Sequence, residues 1–207
     1  MDGSGPVHGG ADPQAIVICP GIHGIKRIVK SNSGTNIEYK SELREIGAAR
    51  RQASLLNAEL QAKIHQIDSY FEVPSGLLKQ RQEPNRDPVW IFYTRSVNEL
   101  VRPSDWSFVP EDVVFKQYAV QDQEPLVVVT KLREYWRMEN VRIHFDRVRG
   151  LGLYFELEAQ VIPTCTESAC RDKVQQLVDT FRPILGEPVT ASYAHLLLRG
   201  GVGHEDG

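Results

Sequence analysis

The sequence has little cysteine, no long apolar run and no excess of basic charge. Its 207 residues include only three cysteines, Cys19, Cys165 and Cys170, and their spacing fits neither a disulfide scaffold nor a zinc site. We therefore expect free thiols in a reducing compartment. No apolar stretch approaches the roughly 18 residues that a membrane-spanning helix needs. The N-terminus also lacks the basic, apolar and cleavable segments of a secretory signal. These absences predict a cytoplasmic protein that has no contact with a membrane.

The charge balance makes nucleic acid an unsuitable partner. The sequence contains 24 basic and 27 acidic side chains, for a formal charge of −3. No surface stripe of basic residues can be read from it, so whole-molecule attraction does not bring a polyanion to this protein. Any site for an anion must therefore be local.

Composition divides the chain into a central domain and two tails. Residues 1–35 are rich in glycine, proline and polar side chains, which predicts a flexible extension. Within it, residues 15–19 (AIVIC) are compatible with an edge strand or a short helix. The glycine-rich residues 200–207 are expected to form a disordered tail. The intervening residues 36–199 are long enough for one domain with its own core.

Two periodicities alternate through the central domain. Residues 36–43 (NIEYKSEL) alternate as a half-buried strand does, whereas apolar residues recur every three or four positions over 45–64 and predict a long helix. Helix starts are expected at Pro110 and Thr166. Further strands are predicted at 67–71, 77–82, 89–94, 105–109, 126–136, 141–148 and 153–161. About eight strands and three or four helices predict an α+β fold built on a mostly antiparallel sheet.

Several predicted strands are charged on one face and apolar on the other. Lys79 and Arg81, for example, lie on the face opposite Leu78. The apolar faces require helices against them, and the charged faces require water. Either an open sheet or a closed barrel with a wet interior satisfies both conditions. The same alternation groups Lys131 with Arg133, Arg142 with His144 and Asp146, and Glu156 with Glu158.

The charged faces carry more cations than carboxylates. Such a surface attracts an anion, and arginine and lysine side chains are suited to phosphate oxygens. The carboxylates are suited instead to Mg²⁺ or Mn²⁺, which bridge phosphates. The seven cations are Lys40, Lys79, Arg81, Arg95, Lys131, Arg133 and Arg142, and the four carboxylates are Glu38, Asp146, Glu156 and Glu158.

A set of motifs spread over residues 36–198 resembles one known family. They are the strand that contains Glu38 and Lys40, then QIDSYFEVPSGLLKQR, RPSDWSFVP, TKLREYW, NVRIHFDRVRGLGLYFELEA and ASYAHLLL. In this order they closely resemble the CYTH superfamily, also called triphosphate tunnel metalloenzymes, and within it the class IV adenylate cyclase branch. The resemblance implies an eight-stranded antiparallel β-barrel with helices packed outside, and metal-dependent chemistry on triphosphates.

The resemblance also implies roles for individual residues. The seven cations named above match the family's triphosphate-binding positions, and Glu38, Glu156 and Glu158, with Asp146, match its metal-binding acids. Lys40, Asp146 and His144 are the candidate catalytic residues, although His144 either acts in catalysis or only supports Asp146. The family signature begins Glu-x-Glu-x-Lys, whereas the first acid here is Asn36, whose neutral amide oxygen is expected to weaken metal binding. The extension before Asn36 has no counterpart that we can interpret.

Three functions remain open at the level of sequence. A cyclase would form cyclic AMP and pyrophosphate from ATP, and a hydrolase would release orthophosphate from a triphosphate. Alternatively, a polyphosphate or nucleotide sensor would have lost part of its metal site at Asn36. The expected ligand is ATP, thiamine triphosphate or tripolyphosphate, and the protein is expected to be a monomer or a homodimer.

Overall fold

The computed structural model of the protein describes residues 16–18, 28–30, 33–96 and 98–200. Two short strands, β1 (Ile16–Ile18) and β2 (Ile28–Lys30), pair antiparallel with each other. Of the two alternatives for residues 15–19, the structure therefore has the strand. Most of the expected flexible extension, including Cys19, lies outside the described residues.

Eight further strands of the described residues form the barrel of the main sheet. All pair antiparallel in the order β3, β7, β6, β5, β4, β8, β9, β10, and β10 pairs again with β3, so that the sheet closes into a barrel. This arrangement is the fold class that the sequence predicted. The strands are β3 (Ser33–Leu43), β4 (Glu59–Phe71), β5 (Leu77–Gln82), β6 (Val89–Arg95), β7 (Arg102–Val109), β8 (Val127–Met138), β9 (Val141–Val148) and β10 (Gly152–Gln160).

In the described part of the chain, four α-helices lie outside the barrel: α1 (Ile46–Leu55), α2 (Glu111–Tyr118), α3 (Glu167–Phe181) and α4 (Tyr193–Gly200). The Glu45 carboxylate accepts hydrogen bonds from the first amides of α1, and Thr166 Oγ1 accepts one from Ala169 N in α3. A helix therefore begins at Thr166 as predicted, and α2 begins directly after Pro110. The sequence prediction did not include α4, nor the short strand β11 (Leu185–Pro188) that pairs with β3.

The main core lies between the barrel and α3. Phe181 at the end of α3 packs against Phe155, with ring centroids 4.8 Å apart, and against Phe145 at 6.3 Å. All three rings are completely buried. Both Phe145 and Phe155 are on the outer faces of their strands, so their neighbours in sequence are directed inward. The core thereby fixes which side chains of β9 and β10 enter the barrel.

The long helix predicted over 45–64 is wrong. Helix α1 ends at Leu55, Asn57 adopts a left-handed conformation with φ 57°, and β4 begins at Glu59. A residue in the left-handed conformation cannot continue a right-handed helix, so the chain changes direction and the helix ends there. Leu60, which the predicted stripe placed in the core, is 43% exposed on β4. The helical spacing of Leu60 and Ile64 was therefore coincidental.

Helices do not cover the whole apolar outside of the barrel. Val128 and Leu132, on the outer face of β8, remain 45% and 55% exposed. The expectation that every apolar strand face would be covered is therefore wrong for this strand. None of the helices in the described part of the chain is long and apolar enough to span a membrane.

The predicted domain boundaries differ slightly from the ends of the fold. Strand β3 begins at Ser33, three residues before the predicted start, because residues 33–35 pair with residues 105–107 of β7. Gly200, assigned to the expected disordered tail, is the last residue of α4, and residues 201–207 lie outside the described residues.

We expect Phe181→Ala to destabilise the protein by about 3–5 kcal/mol, because it removes a fully buried ring and leaves a cavity. Chemical denaturation monitored by circular dichroism measures this loss. Leu132→Ala, which truncates a side chain that is 55% exposed, serves as the control and is expected to cost less than about 1 kcal/mol. Equal losses for the two variants would contradict the assigned core.

Candidate functional site

The barrel encloses a cavity of about 200 Å³. Side chains from all eight barrel strands line it, together with Ser192 and Tyr193 at the start of α4. The cavity follows from strand parity, since every second residue of each strand must point into the closed barrel. It is the candidate functional site.

The structure brings most of the predicted site residues together. Asp146 and His144 do not line the cavity, but both are buried behind it, with 0% and 4% of their surfaces exposed. Asn36, where the expected acid is missing, also lines the cavity. The ten predicted residues in the lining are Glu38, Lys40, Lys79, Arg81, Arg95, Lys131, Arg133, Arg142, Glu156 and Glu158.

Arg133 is the centre of an ion-pair network on one side of the cavity. Its Nε and Nη2 donate to the two carboxylate oxygens of Asp146 at 2.8 and 2.6 Å. Nη2 also donates to Glu156 Oε2 at 2.6 Å. Burial raises the pKa of Glu156, but the Lys40 ammonium and the Arg133 guanidinium outweigh burial and hold it well below its usual range. Cations and acids in this region therefore neutralise each other directly.

The remaining ion pairs on this side of the cavity have longer distances. Lys40 Nζ lies 3.3 Å from Glu156, Arg142 Nη1 lies 3.4 Å from Glu158, and Arg95 Nη1 lies 3.5 Å from Glu38. Burial, followed by the nearby charges of Glu158 and Glu156, raises the pKa of Glu38. Negative charge near Glu38 is therefore incompletely compensated.

Glu38 and Glu158 are directly opposite each other in the β3–β10 pair, and Asn36 is opposite Gln160 one step along the same face. The Asn36 Oδ1 atom is buried and has no hydrogen-bond partner among the described residues. Oxygen donors with uncompensated negative charge fit a hard divalent cation. Within the described ranges, however, no three Asp, Glu, His or Cys side chains form a ready-made metal cage. These residues could hold a metal only if other oxygen ligands completed its coordination.

Asp68 is a site residue that the sequence analysis missed. Its carboxylate accepts hydrogen bonds from Lys79 Nζ at 2.9 Å, Lys131 Nζ at 2.8 Å, and Arg81 Nε and Nη2 at 2.7 and 2.8 Å. We call Asp68, Lys79, Arg81 and Lys131 the Asp68 cluster. Asp68 alternates with Gln66 and Tyr70, which are also buried, so the parity of the predicted 67–71 strand contained the signal.

Arg102 was also missed, because the predicted strand began only at residue 105. It is completely buried and lies opposite Glu38 in the β3–β7 pair. Its Nη1 donates to the Glu99 carbonyl at 3.3 Å, whereas Nε and Nη2 have no partner among the described residues. This guanidinium adds positive charge beside the acids of β3.

Tyr193 and His144 flank the Arg133 network. The Tyr193 hydroxyl donates to Asp146 Oδ2 at 2.9 Å, and Lys40 Nζ lies 4.2 Å from the centre of the Tyr193 ring. His144 Nε2 lies 3.6 Å from Glu158 Oε1. Burial and the Arg133 charge lower the pKa of His144, which favours the neutral imidazole. His144 therefore borders Glu158.

Lys79 is a cation of the site whose charge is sensitive to pH near neutrality. Burial and the neighbouring Arg81 charge lower the pKa of its ammonium to about 7, against the opposing effect of Asp68. Lys131 adds to the depression, and the rings of Tyr70 and Tyr93 lie 5.6 Å from Nζ. A bound anion would favour the protonated form.

We expect the affinity of the unmodified protein for tripolyphosphate, divided by that of Lys79→Arg, to fall about tenfold per pH unit above pH ~7. Above this pH the Lys79 amine is neutral in the free protein and must take up one proton when the ligand binds. The arginine variant is the reference because its charge persists, and it also cancels titration of the ligand. Calorimetric titrations from pH 6 to 9 give the ratio. A ratio that does not vary with pH would show that Lys79 does not titrate in this range.

Asp68→Asn is expected to destabilise the protein by about 3 kcal/mol, because it leaves three buried cations without their counter-ion. Urea denaturation measures the change. Asp105→Asn makes the same substitution on β7, at an exposed residue that accepts a hydrogen bond from Thr35, and is expected to cost less than about 1 kcal/mol. Equal stability of the two variants would mean that the Asp68 cluster does not contribute to the free energy of unfolding.

Similar structures support the fold. PH1012 of Pyrococcus horikoshii OT3 superimposes with a TM-score of 0.59 at 22% identity, covering 78% of this chain and 98% of that chain. A protein of Vibrio parahaemolyticus described as a candidate adenylate cyclase gives a TM-score of 0.58 at 15% identity, with coverage of 80% and 98%. The adenylyl cyclase candidate HpAC1 of Hippeastrum, reported to have a dominant triphosphatase activity, gives 0.51 at 15% identity, with coverage of 80% and 96%.

No curated protein sequence matches the chain. The sequence model of the CYTH domain, however, matches residues 34–190. This match begins one residue after the start of β3 and covers all eight barrel strands. The chain therefore belongs to the CYTH domain family.

Proposed function

We propose that the protein is a divalent-metal-dependent enzyme that hydrolyses an organic triphosphate inside the barrel. The observation that carries this proposal is the charge of the interior. Eight cations face five carboxylates among the described residues, because Arg102 and Asp68 add one charge of each sign to the predicted set. The excess is positive although the whole chain has a charge of −3.

An excess of buried cations favours a ligand with several negative charges. Like charges close together in a region of low dielectric repel each other, and a polyphosphate relieves the repulsion by bringing its own charge. Within the Asp68 cluster, three cations share a single carboxylate. This cluster therefore offers the strongest local attraction for a phosphate group.

The acids of β3 and β10 are the proposed metal ligands. Arg133 engages Glu156 and Asp146, so Glu38 and Glu158, with the amide oxygen of Asn36, have the more available oxygens. Mg²⁺ and Mn²⁺ often bind through one or two carboxylates and complete their coordination with substrate phosphates and water. The bound ion would polarise a phosphoryl oxygen and neutralise charge that develops on it.

The remaining side chains bind and orient the phosphate chain. In hydrolysis a water oxygen bonds to the terminal phosphorus and the bond to the bridging oxygen breaks, which leaves a diphosphate and orthophosphate. Lys40, whose pKa burial lowers to about 8, remains largely protonated at neutral pH and can donate to a non-bridging oxygen. Asp146 receives hydrogen bonds from Arg133 and Tyr193, and so acts by holding these donors in place.

Cyclisation of ATP is the second candidate, because the Vibrio relative is described as a candidate adenylate cyclase. The ribose 3′-hydroxyl would then attack the α-phosphorus, and pyrophosphate would leave. Both reactions require the same cationic surface. They differ in which nucleophile reaches phosphorus, and therefore in their products.

The decisive experiment incubates the purified protein with Mg²⁺ or Mn²⁺ and with ATP, thiamine triphosphate or inorganic tripolyphosphate. Chromatography then resolves cyclic nucleotide, pyrophosphate and orthophosphate. We expect metal-dependent release of orthophosphate from at least one of the three compounds. Cyclic AMP and pyrophosphate would identify the cyclase instead. Binding without any turnover would identify a sensor.

We expect Glu38→Gln combined with Glu158→Gln to reduce metal-dependent kcat/KM by at least about 100-fold, as two anionic metal ligands are lost. Magnesium titrations of the activity measure the effect. Glu42→Gln, on an exposed residue of the same strand β3, is the control and should retain full activity. Unchanged magnesium titrations in the double variant would remove both acids from the metal site.

Asn36→Glu tests whether the amide at this position limits metal binding. Restoring the carboxylate is expected to lower the magnesium concentration needed for half-maximal activity about tenfold, because the site gains a negative charge. A sensor would instead gain turnover that the unmodified protein lacks. No change in the magnesium requirement would place Asn36 outside the metal site.

A further inference from the structure

One part of the cavity wall is apolar and aromatic. Ile91 and Tyr93 of β6 and Trp106 and Phe108 of β7 all line the cavity, and we call these four side chains the aromatic wall. They pair across the two strands, with Ile91 opposite Phe108 and Tyr93 opposite Trp106. The Trp106 and Phe108 rings contact each other edge to face, with centroids 5.4 Å apart.

The side chains of the aromatic wall are not fully buried. Phe108 remains 38% exposed, and Ile91 and Trp106 are only partly buried. The indole Nε1 of Trp106 is buried but has no hydrogen-bond acceptor among the described residues. Buried indole N–H groups usually have a partner. Both observations indicate that another group completes this part of the cavity.

The backbone of β3 fixes the position of the Trp106 ring. Gly34 of β3 lies directly opposite Trp106, and a Cβ atom there would come within 3.3 Å of the indole Cζ2. The indole therefore rests on the backbone of β3, and a side chain at position 34 would crowd it. A ring held in this way loses little freedom when a ligand stacks on it.

The aromatic wall borders the phosphate-binding cations. Lys79 is opposite Ile91 in the β5–β6 pair, and the Arg95 guanidinium lies 5.4 Å from the centre of the Tyr93 ring. Neighbouring strands are about 4.8 Å apart, so the backbones at Lys79 and Phe108 are separated by about 10 Å. A single ligand with a phosphate chain and a ring can reach both regions.

We propose that Ile91, Trp106 and Phe108 form a subsite for the aromatic heterocycle of an organic triphosphate. The inference rests on the proposed function, because it places the organic part of that substrate. Inorganic tripolyphosphate has no group to occupy the subsite. Aromatic side chains stack on heterocycles of many kinds, since each presents a π-face.

The test compares compounds with and without a heterocycle. Calorimetric titrations of the protein with ATP, thiamine triphosphate and tripolyphosphate, carried out without Mg²⁺, measure affinity independently of the metal-dependent turnover. Phe108→Ala and Trp106→Ala are expected to weaken the binding of ATP or thiamine triphosphate by about 10-fold or more, and that of tripolyphosphate by less than about 3-fold. The control is Leu132→Ala, which truncates an apolar side chain on the outside of the barrel and should change neither.

A third variant separates stacking from folding defects. Trp106→Phe keeps an aromatic ring, and its affinity for the organic compound is expected to stay within about 3-fold of that of the unmodified protein. Should Trp106→Ala fail to fold, Phe108→Ala and Trp106→Phe still give the comparison, because Phe108 is already partly exposed. A loss in Trp106→Phe as large as the loss in Phe108→Ala would overturn the stacking subsite.

The remaining outcomes distinguish this inference from the proposed function. Equal weakening of all three compounds, or no weakening of the organic ones, would overturn the subsite only. Binding of tripolyphosphate without binding of either organic compound would do the same. Selective weakening in a protein that turns over none of them would support the subsite and overturn the enzyme. Absence of all binding would overturn both.

Discussion

The pairing of β3 with β10 is the constraint on which the rest of the structure depends. This pairing closes the sheet, and closure forces one face of every strand into a common interior. The register of the pair places Lys40 opposite Glu156 and Glu38 opposite Glu158. In an open sheet these charges would face water and contribute little. Closure brings them into a confined space of lower dielectric, where their mutual attraction and their attraction for a ligand both increase.

Closure also requires the interior to balance its own charges when no ligand is bound. Arg133 engages Asp146 and Glu156, and Asp68 holds Lys79, Arg81 and Lys131. Removing one partner from such a buried pair costs several kcal/mol, so each of these acids supports the fold as well as any chemistry. The same acids keep the cations at defined positions. A phosphate chain therefore encounters donors that are already oriented, rather than lysine side chains that must first be ordered.

The period of two explains what the sequence predicted and what it did not. Parity on β5, β8, β9 and β10 correctly grouped the charged residues, because successive side chains of a strand alternate between its two faces. On β9 and β10 the outer face is anchored by the buried Phe145 and Phe155. Closure of the barrel came from the family resemblance, since parity also allows an open sheet. Arg102 was missed because a proline follows it and hid the start of β7. The long helix failed because a helical stripe and the first residues of β4 can share the same apolar spacing, and only the left-handed Asn57 separates them.

The two missed charges change how the interior is understood. The sequence analysis predicted that the cations bind phosphate and that the acids bind the metal, and it treated them as two independent sets. In the structure most acids already contact a cation. Glu38, whose pKa is raised by burial and by the charges of Glu158 and Glu156, shares a face of β3 with Asn36, whose Oδ1 has no partner among the described residues. An excess of positive charge lies at the Asp68 cluster, where three cations share one carboxylate, whereas Arg102 lies opposite Glu38. A ligand that is negative along its length and carries its own divalent ion would bring negative charge to the Asp68 cluster and a cation to the acids of β3 and β10, as a bare anion or a bare cation would not.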